Sequence, residues 1–193
     1  VIPAVPAPVV AADPFAAGWK EHGPNRALFL DRDGVVNVNH GYVHRAEDTD
    51  WVPGIFDLAR TARRAGFVLV VVTNQAGIAR GYYDEARFRE YSTWVHGCFK
   101  REDAPLLATY YCPHHPEAGL GALKVECTCR KPHPGMLLEA IRRWRLDPAA
   151  SVLVGDQPSD MAAAAAAGLG LAIMVGNGGS LAAASAAVAA LTP

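Results

Sequence analysis

The stretch Phe67-Val68-Leu69-Val70-Val71-Val72-Thr73-Asn74-Gln75 decides the fold. Its six leading residues are all apolar and mostly β-branched, so they offer no polar face to water. That is expected of a central parallel strand covered on both sides. Upstream, residues 53–64 place Ile55, Leu58, Ala59 and Ala62 at helical intervals, and Gly66 ends the segment. Further upstream, Ala27-Leu28-Phe29-Leu30 is a short apolar run that stops at Asp31, a second buried strand. Downstream, Asp84 caps a helix reaching about Lys100, 106–111 reads as a strand, and 134–145 is a helix with Pro134 in its first turn. Residues 151–154 form a further strand ending at Gly155-Asp156, followed by an Ala-rich helix over 158–167, a strand over 171–175 and a last helix over 181–191. This alternation predicts an α/β fold: a doubly wound three-layer sandwich around a mainly parallel sheet of five or more strands. Residues 1–25, with several prolines, read as an extended N-terminal arm, and 26–193 as a single domain.

Composition narrows the class. The 193 residues suffice for one domain with a sizeable core, although the apolar fraction of 51% overstates that core because 35 residues are alanine. Eighteen Lys and Arg against nineteen Asp and Glu give a net charge of −1, which provides no field for gripping nucleic acid or anionic lipid. Residues 1–12 are apolar and Pro-rich but lack a basic leader and read poorly as a signal peptide. The stretch 161–175 is too short and too rich in Ala and Gly to span a bilayer. A soluble cytoplasmic monomer is expected, without nucleic-acid or membrane partners.

In a doubly wound sheet, ligands bind beyond the carboxyl ends of the strands. Three such ends carry capable residues here: Asp31-Arg32-Asp33-Gly34, Thr73-Asn74 and Gly155-Asp156-x-x-x-Asp160, with Arg130-Lys131 just ahead of another helix. Taken singly, each is an ordinary solvated turn or helix N-terminus. Their recurrence on successive units of one sheet points to a shared rim instead. Two carboxylates one residue apart need a cation between them, and Mg²⁺ suits hard oxygen ligands while keeping waters for a phosphate. Lys131 and Arg130 would balance phosphoryl charge.

A second cluster is separate. Cys112-x-His114, twelve intervening residues and Cys127-x-Cys129 supply three thiolates and an imidazole, a complete tetrahedral set for structural Zn²⁺. Spacing alone leaves His115 as an alternative to His114. The 112–129 excursion is too short to fold by itself, so a metal staple would replace the missing core and hold Arg130 and Lys131 in place. Cys98, in the helix that carries Trp94, is assigned to the core, and His44 and His133 to loops or packing.

These motifs resemble those of the haloacid dehalogenase-like phosphatases. The longer strings Phe29-Leu30-Asp31-Arg32-Asp33-Gly34, His40-Gly41-Tyr42-Val43, residues 73–81, Tyr111-Cys112-Pro113-His114-His115-Pro116 and residues 127–135 are similar to its heptose-bisphosphate phosphatase branch, whose near relatives are histidinol-phosphate phosphatases. The resemblance covers about residues 26–176. It implies a capless, Mg²⁺-dependent enzyme that removes the 7-phosphate of a heptose 1,7-bisphosphate in bacterial ADP- or GDP-heptose biosynthesis, which can feed lipopolysaccharide. Asp31 would be the nucleophile, Asp33 the general acid–base, and Thr73 and Lys131 the holders of phosphoryl oxygens. Mg²⁺ would be bound by the Asp31 carboxylate, the Asp33 carbonyl and Asp156, with Asp160 orienting Lys131 or a metal-bound water. Substrate contacts are implied for Asn39, His40, Gly41, Tyr42, Asn74, Gln75, Ala76 and Arg130, the last toward the distal phosphate. The same resemblance favours His114 over His115 as the zinc ligand. Gln157 departs from the pattern, since many relatives carry Lys there. The competing expectations are a histidinol-phosphate phosphatase and, outside catalysis, a zinc-stabilised phospholigand-binding module.

Overall fold

The protein was analysed as a computed structural model that describes residues 7–191. Arg26–Leu30 (β2), Phe67–Asn74 (β3), Leu106–Cys112 (β4), Val152–Gly155 (β5) and Leu171–Met174 (β6) form parallel neighbours in one sheet. Val9–Ala11 (β1) completes it antiparallel to β4, giving the order β1-β4-β3-β2-β5-β6. The chain runs outward from β2 through β3 to β4, then returns to lay β5 on the other side of β2. The crevice between β2 and β5 is therefore the topological switch point.

Alternation along the strands sorts the core into two layers. Leu28, Leu30, Leu69, Val71, Val152 and Val154 face the helices Ile55–Arg64 (α1), Glu85–Arg101 (α3) and Ala182–Ala190 (α6). Ala27, Phe29, Val68, Val70 and Leu153 face Gly135–Trp144 (α4) and Pro158–Ala166 (α5). The expected helical stripe of α1 is the buried one, Ile55, Leu58, Ala59 and Ala62. Asp84 caps α3 by accepting a hydrogen bond from the Arg87 amide at 2.7 Å. Cys98 is buried, as expected. A four-residue helix, Ala76–Ala79 (α2), follows β3 and is too short for any periodicity in sequence to announce.

Of the arm read over 1–25, residues 1–6 lie outside the described residues. The remainder packs on the domain: β1 lies along β4, Ala17 is buried, and the Trp19 indole donates to the Trp144 carbonyl at 2.7 Å. The sheet thus has six strands rather than the minimum of five. The connection from β2 to α1 is a short looped segment. It is held on α3 by Trp51, stacked on Trp94 with ring centroids 5.6 Å apart, and no cap domain stands over the switch point among the described residues. No helix is long and apolar enough to cross a membrane among the same residues.

Candidate active site

A cavity of about 390 Å³ opens at the carboxyl ends of β2, β3 and β5. Asp31 leaves β2 with its amide bonded to the Val154 carbonyl at 2.9 Å, which fixes it against β5. At the cavity floor the Lys131 ammonium reaches Asp31 Oδ1 at 2.7 Å, Asp160 Oδ1 at 2.6 Å and the Val72 carbonyl at 3.0 Å. Asn74 does not turn its amide toward solvent. It clamps the Lys131 backbone with two bonds of 3.0 Å, one donated to the carbonyl and one accepted from the amide. Asp160, in the first turn of α5, also accepts from the Gln157 amide at 3.0 Å, so it orients Lys131 from a fixed position.

Electrostatics at this floor are unbalanced. The carboxylates of Asp31, Asp156 and Asp160 lie within 4.8 Å of one another against one ammonium. Burial pushes the Asp31 carboxyl up to about 7 against the pull of Lys131, and burial also raises Asp156. Burial alone would lower Lys131, but the charges of Asp31 and Asp160 hold it above its ordinary value. Asp156 Oδ1 is buried with no hydrogen-bond partner, and among the described residues the Asp33 carbonyl accepts no hydrogen bond. Hard oxygens crowded together, one of them orphaned, are the donor set that Mg²⁺ takes. Gly34 makes the approach possible: its φ is +103°, and a Cβ there would collide with the Asp156 carboxylate. Gln157 donates to Asp156 Oδ2 at 3.1 Å and so steadies that carboxylate without adding charge.

Asp33 stands on the cavity wall and receives three donors. Arg32 reaches both of its oxygens at 2.8 Å, Asn37 reaches Oδ1 at 3.1 Å and Gln75 reaches Oδ2 at 3.3 Å. Gln75 also donates to Thr73 Oγ1 at 2.7 Å and accepts from the Tyr83 hydroxyl at 2.7 Å, so its side chain is fully engaged within the protein. Arg32 is itself buried, lying over the rings of Phe88 and Tyr91 and donating to the Val43 carbonyl at 2.6 Å. The sequence motifs single out neither Arg32, the spacer of Asp-x-Asp, nor Tyr83. A basic residue between two acids was the available signal for the first.

The outer wall is built by the 39–44 loop. Asn39, Gly41 and Tyr42 line the cavity, and Tyr42, at φ +56°, meets Tyr82 edge-on with centroids 4.7 Å apart. Ala76, Gly77, Tyr83 and Ser159 also line it, the last three unforeseen. Two expected substrate contacts lie off the lining. His40 Nε2 pairs with Asp50 Oδ2 at 2.7 Å on the exposed side of its loop, and the Arg130 guanidinium donates to the His114 carbonyl at 3.1 Å.

The second cluster assembles as spaced. Cys112 is the last residue of β4, and its sulfur lies 3.5 Å from Cys127 and 3.3 Å from Cys129, which are themselves 3.3 Å apart. His114 Nδ1 is 3.7 Å from the Cys112 sulfur and 3.6 Å from that of Cys129. No pair is at disulfide distance, and these separations approach the edges of a tetrahedron with Zn–S of about 2.3 Å, close to 3.8 Å. A hydrogen bond from Cys129 pulls Cys112 down to about 6, whereas burial raises Cys127 and the bond to Cys112 raises Cys129. Packed sulfurs that can ionise only one at a time call for a thiophilic cation. His115 is occupied elsewhere, its Nδ1 accepting from the amides of Glu117 and Ala118 at 3.2 and 3.0 Å.

Comparison with known proteins agrees with this geometry. The HAD-hydrolase-like family model matches residues 128–191. The D-glycero-alpha-D-manno-heptose-1,7-bisphosphate 7-phosphatase of Burkholderia mallei is 53% identical over 139 residues, 72% of this chain and 74% of that one. The beta-anomer 7-phosphatase of Escherichia coli K12 is 49% identical over 138 residues, 72% of each. Among solved structures, the D,D-heptose 1,7-bisphosphate phosphatase of B. bronchiseptica, complexed with magnesium and phosphate, superposes with a TM-score of 0.69 at 35% identity, covering 79% of this chain and 83% of that one.

Proposed function

The chain belongs to the D-glycero-D-manno-heptose-1,7-bisphosphate 7-phosphatases within the HAD-like phosphatases, and we propose that its cavity removes the 7-phosphate by way of a phosphorylated Asp31. The observation that carries this reading is the meeting of Asp31, Asp33, Thr73, Lys131 and Asp156 on one cavity at the switch point. Asp31 attacks phosphorus, the bond from phosphorus to the sugar oxygen breaks, and Asp33, entering the step protonated, gives the departing alkoxide its proton. Water then attacks the aspartyl-phosphate, Asp33 takes a proton back, and the Asp31 carboxylate is regenerated as phosphate leaves. Splitting one displacement into two lowers each barrier, and acid–base help of this kind is typically worth about 10²–10⁴ in rate. Thr73 and Lys131 hold the phosphoryl oxygens where charge gathers. Mg²⁺, held by the Asp31 carboxylate, the Asp33 carbonyl and Asp156, would offset the charge of the incoming phosphate. Zinc fits Cys112, His114, Cys127 and Cys129 as a closed structural site with no position left for water.

The test is phosphate release with Mg²⁺ from both anomers of the heptose bisphosphate, from histidinol phosphate and from a hexose phosphate. The relatives above act on different anomers, so both must be offered. One bisphosphate anomer should be preferred by orders of magnitude. Faster turnover of histidinol phosphate would overturn the substrate, and no turnover at all would favour the phospholigand-binding module.

A second expectation concerns stability. Without metal, the folded chain binds the Asp31 proton more tightly than the unfolded chain does, because the folded value is about 7 against 3.8. Its contribution is therefore complete below about pH 4 and is lost as pH rises through about 7. Added Mg²⁺ should raise the melting temperature more at pH 8 than at pH 5. An equal shift at both values would count against metal binding at Asp31.

A further inference from the structure

Tyr83 stands in the cavity wall beside Gln75 and Gly77 and is a residue whose placement the reaction steps above leave unused. Its ring stacks on His44 at 4.4 Å with an interplanar angle of 17°, and it fits so closely under α2 that a Cβ at residue 77 would strike it. Its hydroxyl is 2.7 Å from Gln75 Oε1, and the amide nitrogen of Gln75 is 2.7 Å from Thr73 Oγ1 and 3.3 Å from Asp33 Oδ2.

The order of donors follows from chemistry. The Gln75 amide nitrogen faces two acceptors, Thr73 Oγ1 and Asp33 Oδ2, so its carbonyl oxygen faces Tyr83, and the hydroxyl donates to it. Burial pushes the Tyr83 hydroxyl up to about 12, so it keeps that proton at any pH where the enzyme works. With its carbonyl end fixed, the Gln75 amide can present only its nitrogen to Thr73 and Asp33. An amide without that anchor has two nearly isosteric orientations, and the flipped one would set an oxygen against the Asp33 carboxylate.

We infer that Tyr83 is a positioning residue for this phosphatase: through its hydroxyl it locks the orientation of Gln75, and Gln75 in turn holds Asp33 and Thr73 for proton transfer and phosphoryl binding. The inference rests on the roles proposed above for Asp33 and Thr73. It also links the 39–44 loop to the chemistry, because His44 from that loop stacks on the Tyr83 ring.

The test is kcat/KM for Tyr83→Phe, Gln75→Leu and the double variant, with Mg²⁺, on the heptose bisphosphate and on p-nitrophenyl phosphate. Tyr83→Phe keeps the ring, its stack and its fit under Gly77. Its kcat/KM on the alkyl ester should fall about tenfold, mostly in kcat, because the alkoxide needs Asp33 to protonate it. The nitrophenolate leaves without a proton, so the loss on that ester should be several-fold smaller. In the Gln75→Leu background, Tyr83→Phe should change little further, since its route is already cut. Equal losses on the two esters, additive losses in the double variant, or a lowered melting temperature with unchanged rates would each overturn the inference. If the wild type ignores the heptose bisphosphate but hydrolyses another alkyl phosphate, the substrate reading fails alone and the same contrast is run on that ester. Turnover of no ester would remove both.

Discussion

Asp31→Asn should abolish phosphate release, with kcat reduced by about 10⁴-fold or more, while the protein still folds. The two halves of that result have different causes. The amide is not nucleophilic enough to open the first step, and Asp160 cannot replace it, because it is committed to Lys131 and the Gln157 amide. Stability should hardly suffer, because burial already penalises charge at this position and Lys131 keeps Asp160 and the Val72 carbonyl as partners. A melting temperature within a few degrees of wild type is expected, measured beside the assay. Residual turnover above one part in a hundred would show that the nucleophile lies elsewhere.

Cys127→Ser should lower the melting temperature by about 6–12 °C and reduce metal content and activity together. Structural zinc sites contribute about 10–16 kcal/mol, and losing even a quarter of that shifts a chain of this size by the stated amount. Activity follows because Cys129 is two residues from Lys131, whose ammonium sets the cavity floor. The Asn74 clamp is a second anchor on Lys131, so the loss in rate should be partial rather than complete. Elemental analysis, a melting curve and phosphate release decide the matter. A metal-free variant that melts and turns over like the wild type would refute the staple.

Much of this architecture could be read from the chain because its strands are buried on both faces. Phe67–Asn74 and Leu106–Cys112 have no polar alternation to confuse with a helix, and the carboxylates of the candidate site follow directly from strand ends. Boundaries were harder: β3 runs two residues beyond its apolar stretch, so Thr73 sits within the strand, and Cys112 closes β4. Val9–Ala11 was hidden because a three-residue strand among prolines has no periodicity of its own and exists only through its partner. Arg32 and Tyr83 were hidden for a related reason. Their work depends on what folds against them, Phe88 and Tyr91 for one and Gln75 for the other. In this structure His40 and Arg130 stand off the cavity lining, His40 on Asp50 and Arg130 on the His114 carbonyl.

The pairing of β1 with β4 has a consequence for the order in which the molecule is assembled. Val9 lies opposite Tyr110, so β1 leaves the ribosome well before β4 and has no partner until the residues between them have followed. Closing a loop of that span costs entropy before any hydrogen bond repays it, and such long-range contacts form late. Meanwhile β4, whose side chains are all buried in the finished protein, presents an open hydrogen-bonding edge to any extended segment nearby. A strand made well before its partner is therefore among the last to settle, and it closes the edge through which a half-folded chain would otherwise recruit its neighbour.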